Sequence, residues 1–444
     1  MKSNAVTPAR LAAFEILLRV EEGAYASALL ASREEELNPP DRALCHELVM
    51  GVLRWQLWLD RLAEYYANRP IGELDVAVRL VLRLGLYQLR FLSRIPASAA
   101  VNESVNLVHF ARLRSAASLV NAVLRRATRE PGIDPTSKIH DPIERIAVAT
   151  SHPTWLIESW TSAFGSVEAE AFARANNEPA PVSFRVVNNH ALEPEVVARM
   201  RREGADLVPS KLARNAWRVT GAGSLLWELA AQGDVYLQDE ASQLVAQALD
   251  PQPGHKILDM CAAPGSKTTH IADITHDRAL IVAADLHEHR LRTVVQTAKV
   301  QALKTIHCLA LDGLRPLPLL ESAFDRVLVD APCSGTGTLR RNPEIRWRIT
   351  PDDIRDLSER QKQLLSNASQ TVRPGGRLIY STCSVEPDEN EEVALKFLEN
   401  NKRFRPLDLM LSPSLLTSGS AARTWPHRHG TDGFFICAFE RMAE

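Results

Sequence analysis

The sequence predicts a multidomain protein: an all-α N-terminal part, a small α+β linker unit, and a C-terminal α/β part built on an open, Rossmann-like sheet. Three observations carry this. Apolar residues recur at helical spacing from Leu11 to Arg129, short strand patterns begin only after Pro181, and from Gly254 onward short apolar runs alternate with longer helical patterns. A chain of 444 residues also exceeds what one hydrophobic core supports.

Thr7-Pro8 reads as a cap followed by a first-turn proline, ahead of an apolar run from Leu11 to Val20. Asp41 opens a second helix, with Leu44, Leu48, Val52 and Trp55 near helical spacing. Between Leu74 and Phe91, Ala77, Leu80, Leu84 and Tyr87 share one stripe, while Arg79, Arg83, Arg90 and Arg94 recur on another side. Asn102 to Arg129 repeats the pattern and ends in Arg125, Arg126 and Arg129. Such arginines read either as a solvated face or as a phosphate-contacting one, and charge alone does not choose. Pro131 to Pro142 breaks the rhythm as a linker, and Ile143 to Arg174 is helical again. Val182–Val187, Trp217–Thr220 and Val235–Leu237 read as strands around a helix at Glu193–Glu203. The sheet that follows is expected from Lys256–Met260, Ala279–Ala284, Thr305–Cys308, Phe324–Val329 and Arg377–Tyr380.

The charge balance of 52 Lys+Arg against 54 Asp+Glu, a net of −2, excludes a protein that coats nucleic acid by bulk charge. It conceals local asymmetry, since acidic runs at Glu34–Glu36 and Asp388–Glu392 offset the arginine stripes. No run approaches the roughly 18 apolar residues of a membrane span, and Glu15 interrupts any signal-peptide core. The six cysteines are far apart and form no CxxC pair, which excludes a disulfide scaffold or thiolate zinc site and points to the reducing cytoplasm.

Chemistry concentrates at the ends of the predicted strands. Lys256 to Lys267 is a strand, a small-residue loop (CAAPGSK) and a helix start, the crevice where open α/β sheets hold cofactors. Its spacing is neither GxGxxG nor GxxxxGK[ST], so it indicates a nucleoside-bearing cofactor that is not specified as NAD or ATP. Small Ala262, Ala263 and Gly265 let backbone approach such a ligand. Asp285 ends the second strand, where a carboxylate can take two ribose hydroxyls, and Asp312 and Asp330 follow the third and end the fourth. Asp259 is expected to serve as an internal hydrogen-bond partner.

Cys333 and Cys383 lie in polar, turn-forming loops after the fourth and fifth strands, DAPCSGTG and YSTCS. Adjacent strands would bring them together, and a thiol near a helix N-terminus has a lowered pKa, which suggests covalent chemistry.

The strings CAAPGSK (Cys261–Lys267), VDAPCSGTGTLRRNPEIRW (Val329–Trp347) and YSTCSVEPDENEEV (Tyr380–Val393) resemble the RNA cytosine-C5 methyltransferases of the NOL1/NOP2/Sun family. TWPHRHGTDGFF (Thr424–Phe435) is similar to its bacterial branch acting on small-subunit rRNA, and the helical N-terminus resembles a NusB-like RNA-binding module. The resemblance covers essentially the whole chain. It implies a NusB-like domain over residues 1–132, a helical linker with a small RRM-like α+β subdomain over 143–240, and a class I S-adenosylmethionine-dependent methyltransferase domain over 241–444.

The resemblance further implies that S-adenosyl-L-methionine is held by Cys261, Ala262, Ala263, Pro264, Gly265, Ser266 and Lys267, with Asp285 on the ribose, Asp312 near the adenine and Asp330 by the methionine end. Cys383 would attack C6 of cytosine, Cys333 would serve product release, and Asp330 would contact or protonate the N3 edge. The product would be 5-methylcytosine in 16S rRNA, free or in an early small-subunit particle, made by a monomer. RNA contacts are expected from Arg79, Arg83, Arg125, Arg126, Arg340, Arg341, Arg346, Arg348 and Arg428; Trp347 is either a stacking platform or core. Ser266 departs from the second glycine of many members, which is harmless at negative φ and strained at positive φ. The spacing of His427 and His429 is that of half a metal site with no third ligand indicated, so no metal is expected. The competing expectations are methylation of another RNA such as tRNA, a small-molecule or protein methyltransferase, an NAD-dependent oxidoreductase, and a non-catalytic NusB-like RNA-binding factor.

Overall fold

The structure, a computed structural model, describes residues 6–33, 36–221 and 223–443, so Glu34 and Glu35 of the first acidic run lie outside the described residues. The chain divides into two compact units, Met1–Pro179 with Leu339–Arg348, and Ala180–Thr338 with Ile349–Glu444. Neither unit is a continuous stretch of chain.

The first unit is helical throughout. Its successive helices include Pro8–Glu21, Pro39–Arg54, Gln56–Ala67, Val76–Phe91, Ala97–Phe110 and Ala117–Arg129, followed by Pro142–Thr150, Thr154–Phe164 and Ser166–Ala175. Proline in the first turn and side-chain caps from Asn38, Asp75 and Asp141 set several starts. The apolar stripes meet in one core that includes Phe14, Leu48, Leu84, Val120 and Leu124. The segment 339–348 ends in a short helix, Ile345–Arg348, that belongs to this unit.

The second unit carries two sheets. In the small one, strands β1 (Val182–Val186), β2 (Asp206–Pro209), β3 (Ala216–Thr220) and β4 (Val235–Leu237) run in the order β2-β3-β1-β4, all antiparallel, with helices Glu193–Arg202 and Gly223–Gln232. The large sheet contains β5 (Lys256–Asp259), β6 (Leu280–Asp285), β7 (Ile306–Ala310), β8 (Phe324–Asp330) and β9 (Val372–Thr382), all parallel. It continues through the short strands β10 (Phe404–Pro406), β11 (Leu416–Ser418) and β12 (Ala421–Arg423) and through β13 (Phe435–Arg441), giving the order β11-β12-β13-β9-β8-β5-β6-β7 with β10 on β13. The antiparallel extension beyond β9 and the edge strand β2 are additions to the strands expected from sequence. The chain leaves β5 toward β6 on one side and returns to β8 on the other, so the crevice beyond β5 and β8 is the topological switch point.

Candidate active site

The carboxyl ends of β5, β6, β8 and β9 surround a cavity of about 410 Å³. In register, Asp330 at the end of β8 lies beside Ser381 of β9, so the two following loops start as neighbours. They are then stitched together: the Gly337 N–H donates to the Cys383 carbonyl at 2.9 Å, and the Gly433 N–H donates to the Gly337 carbonyl at 2.8 Å. A Cβ on Gly337 would stand 1.9 Å from the Gly433 carbonyl oxygen, so only glycine permits this approach. The result places the sulfurs of Cys333 and Cys383 3.2 Å apart on the cavity wall.

The loop after β5 takes a different use of glycine from the one expected. Gly265 has φ +106° and caps the helix Ser266–Ile274, and a Cβ there would meet Val294 Cα at 3.1 Å. It therefore permits helix packing, while Cys261 and Ala263 are the loop residues on the large cavity. Ser266 is the first helical residue and is not among the positive-φ positions, so serine costs nothing there.

The acids have separate tasks. Asp285 accepts the Ala263 and His287 N–H groups at 3.2 and 3.1 Å, with Arg290 at 3.7 Å. Asp312 accepts the Leu314 N–H at 3.0 Å and pairs with Arg315 at 3.1 Å. Each carboxylate still lines the cavity with lone pairs to offer. Asp330 accepts the Ser381 hydroxyl at 2.7 Å and pairs with the buried Lys267 ammonium at 2.6 Å. Burial lowers the Lys267 pKa, but Asp330, aided by Cys383 and Asp259, outweighs it and raises it above its ordinary value. Lys267 also lies 5.3 Å over the Phe434 ring. Asp259 is buried and accepts the Thr268 hydroxyl at 2.7 Å, as an internal partner should, and burial pushes it up to about 7.

Cys333 departs from the lowered-pKa expectation. Cys333 is pushed well above 9, first by its hydrogen bond with Cys383, then by burial and by nearby Glu389. It stands as a thiol at neutral pH.

The cavity suits a positively charged nucleoside. Asp285 is placed for a ribose diol, and Met260, Leu286, Leu311, Leu314 and Leu364 give apolar walls for a base. The loop after β5 carries neither phosphate-binding glycine spacing, and Asp285, Asp312 and Asp330 line the cavity with negative charge, which disfavours a pyrophosphate. These residues fit S-adenosylmethionine.

The expected RNA contacts separate sharply. Arg125 and Arg428 are exposed. Arg79 is half-buried and donates to the Gly72 carbonyl, and Arg126 donates to the Tyr65 and Tyr66 carbonyls and to Glu130. Arg83 requires correction: at 5% exposure it is bidentate to Asp60 at 2.7 and 2.9 Å and also meets Glu21 at 3.1 Å. Arg346 is likewise internal, donating to the Ser151 carbonyl and Asn177 side chain at 3.1 and 2.9 Å and to the Asn176 carbonyl at 3.3 Å. Burial pushes it down to about 9. Arg340 is buried, and its carbonyl accepts from Arg54. Arg348 is half-buried and spends its guanidinium on the Val20, Gly23 and Ala24 carbonyls. Trp347 donates to the Leu53 carbonyl at 2.8 Å. These side chains hold the helical unit together because a buried guanidinium must satisfy its donors inside the protein. Arg341 is half-buried in the same segment.

Sequence reasoning missed Glu389, Ser334, Ser384 and Gln361, which form a buried network behind the cysteines. The repeated Cys-Ser dipeptide at 333–334 and 383–384 was the available signal. Among the described residues, no group of three or more His, Cys, Asp or Glu side chains is arranged to hold a metal ion, and no helix is long and apolar enough to cross a membrane.

Comparison with known proteins gives three family matches. The model described as 16S rRNA methyltransferase RsmB/F matches residues 246–440, the NusB family residues 7–129, and the RsmF/B-like ferredoxin-like domain residues 152–225. The chain is 37% identical to the probable ribosomal RNA small subunit methyltransferase B of Bacillus subtilis (strain 168), over 98% of this chain and 99% of that protein. It is 35% identical to ribosomal RNA small subunit methyltransferase B of Pseudomonas putida, over 98% of each. A crystal structure described as PH0851 superposes with a TM-score of 0.84 at 27% identity, covering 98% of this chain and 99% of that one. NSun6 from Pyrococcus horikoshii with SFG shares the fold, with a TM-score of 0.60 at 22% identity over 66% of this chain and 99% of that one.

Proposed function

Because the chain belongs to the family of ribosomal RNA small subunit methyltransferases B, we propose that Cys383 and Cys333 divide the work of methylating C5 of one cytosine in 16S rRNA. The chain is an S-adenosylmethionine-dependent methyltransferase, and the observation that carries the division of labour is the pair of sulfurs 3.2 Å apart on the cavity wall. Residues 1–132 and 143–240 serve as RNA-positioning modules for the catalytic residues 241–444.

C5 of cytosine is a poor nucleophile until a thiolate adds to C6. Cys383 forms that C6–S bond, and the displaced electron pair makes C5 carbanion-like. When bound, S-adenosylmethionine supplies the electrophilic sulfonium methyl group that C5 takes. Asp285 would hold its ribose and Asp312 would face its base. Lys267, paired to Asp330, is the donor for the N3 edge as charge develops there, while Asp330 is an acceptor.

Release then requires two proton movements. In one elimination the C5–H bonding pair restores the C5–C6 double bond as the C6–S pair returns to the Cys383 sulfur. Cys333 relays the proton, its thiol proton passing to Cys383 while its own sulfur takes the C5 proton. The raised pKa of Cys333 suits the base half, since its sulfur, once its proton has passed to Cys383, takes the C5 proton strongly. The cytosine must leave its stack to reach the sulfurs, so accessible RNA is the substrate form.

The test supplies methyl-labelled cofactor and undermodified small-subunit rRNA. Label is expected at C5 of a cytosine in wild type, none with Cys383→Ala, and a covalent protein–RNA complex on a denaturing gel with Cys333→Ala. Label appearing only on tRNA would redirect the substrate, and an active Cys383→Ala would overturn the mechanism.

A further inference from the structure

The strongest unused feature of the α/β unit is a carboxylate directly behind the two cysteines. Glu389 ends the 3-10 turn Pro387–Glu389, six residues after Cys383 in the chain, and is fully buried. Its Oε1 accepts the backbone N–H of Ser334 at 2.9 Å and the side-chain N–H of Gln361 at 2.9 Å. Its Oε2 accepts the hydroxyl of Ser334 at 2.5 Å. Among the described residues Glu389 has no basic side chain within 4 Å. A buried carboxylate without a cation is costly, so three donors must satisfy it. Glutamine would bring two donors of its own against them.

Both cysteine loops hang from this point. Ser334 follows Cys333, and its hydroxyl oxygen lies 3.0 Å from that of Ser384, which follows Cys383. Thr336 bridges the same pair, 3.2 Å from the Ser384 hydroxyl and accepting the Val385 N–H at 3.1 Å. Gln361, on the helix Pro351–Thr371, also donates to the Pro332 carbonyl at 2.9 Å, and the Tyr380 hydroxyl donates to the Glu389 carbonyl at 2.5 Å. The links are polar and, apart from the part-buried one to Pro332, buried, which makes the arrangement rigid when complete and expensive to open.

We propose that Glu389 is a positioning residue for the reaction: its carboxylate fixes the Cys333 loop and, through Ser334 and Ser384, sets the separation of the two sulfurs. The proposal rests on the reading of Cys383 as attacking group and Cys333 as release group. Its charge acts in the same direction as the geometry. After the Cys383 hydrogen bond and burial, Glu389 helps keep Cys333 protonated until the adduct collapses. Attack by Cys383 needs only one correctly placed sulfur, whereas release needs both, so loss of the clamp falls hardest on release.

The experiment compares full-length wild type, Cys333→Ala, Glu389→Ala and Glu389→Gln with labelled S-adenosylmethionine and undermodified small-subunit rRNA. Glu389→Ala is expected to lower turnover at least tenfold, leave the KM for S-adenosylmethionine within twofold, and accumulate the covalent RNA complex although both cysteines are intact. Glu389→Gln, which keeps the volume, is expected to show the same complex with a smaller fall in turnover. Should Glu389→Ala fail to fold, the glutamine variant decides alone. Wild-type turnover without trapped complex in Glu389→Gln overturns the proposal. Lost turnover with a raised cofactor KM and no trapped complex also overturns it, since that is a general structural defect. Absence of the complex in Cys333→Ala instead overturns the underlying reading of the cysteines.

Discussion

Residues 329–338 and 339–348 follow one another in the chain and are both rich in polar side chains, yet they end in opposite states. In the first segment, Asp330 and Cys333 line an open cavity of about 410 Å³ with bonding capacity left to offer. In the second, Arg346 is buried with its donors spent on Ser151, Asn176 and Asn177, and Trp347 is spent on Leu53. The difference teaches where chemistry resides within a motif. A polar group aimed into a cavity is available to a substrate, while one whose partners are all internal is part of the scaffold.

The contrast can be broken most directly at its two extremes. Cys383→Ala should lower methylation by at least about 1,000-fold with the melting temperature unchanged, because the thiol contributes chemistry and little packing. Activity assays beside thermal melts check this. Arg346→Ala should behave oppositely, destabilising the helical unit by about 3 kcal/mol as buried carbonyl groups lose their donor. Denaturant unfolding of the full chain measures it, and a neutral result would mean the segment is not a scaffold.

A second contrast lies within the arginine stripes. Arg83→Ala should cost about 3 kcal/mol, since it leaves Asp60 buried without its partner. Arg125→Glu, on the exposed face, should leave stability unchanged and weaken rRNA binding several-fold in a salt-dependent way. Binding isotherms at two salt concentrations distinguish the two.

The smallest effect concerns pH, and here the units differ in sign. Asp259 has its folded value raised from 3.8 to about 7, so the stability it contributes is complete below its ordinary value and lost as pH rises through about 7. Asp259→Asn should flatten that fall in thermal melts between about pH 4 and pH 7. His152, buried beside Arg346 and held well below 6.5, works the other way, and its contribution is lost as pH falls below 6.5.

How much of this was legible follows from the range of the interactions. The parallel strands from β5 to β9 were readable because apolar runs and turn residues are local signals. So was the meeting of Cys333 and Cys383, because loops after adjacent strands must converge. The antiparallel extension was not readable, since β10, β11 and β12 are three residues each and β13 lies just beyond a motif that drew the reading elsewhere. Arg83 misled for a different reason. It recurs on a helix side that reads as solvated, and its partners Asp60 and Glu21 lie 23 and 62 positions away. Tertiary pairing of that span leaves no periodic trace. Ser334 and Ser384 were visible only as residues beside the interesting ones.

The excursion of residues 339–348 into the helical unit bears on how such a protein can be cut, shuffled or inherited. A fragment ending at Pro179 would keep the pocket built for Arg346 and lack the residue that fills it. A fragment beginning at Ala180 would carry Trp347 and Arg348 stripped of their acceptors. The front half is therefore not a cassette that a gene fusion could append or discard without repair.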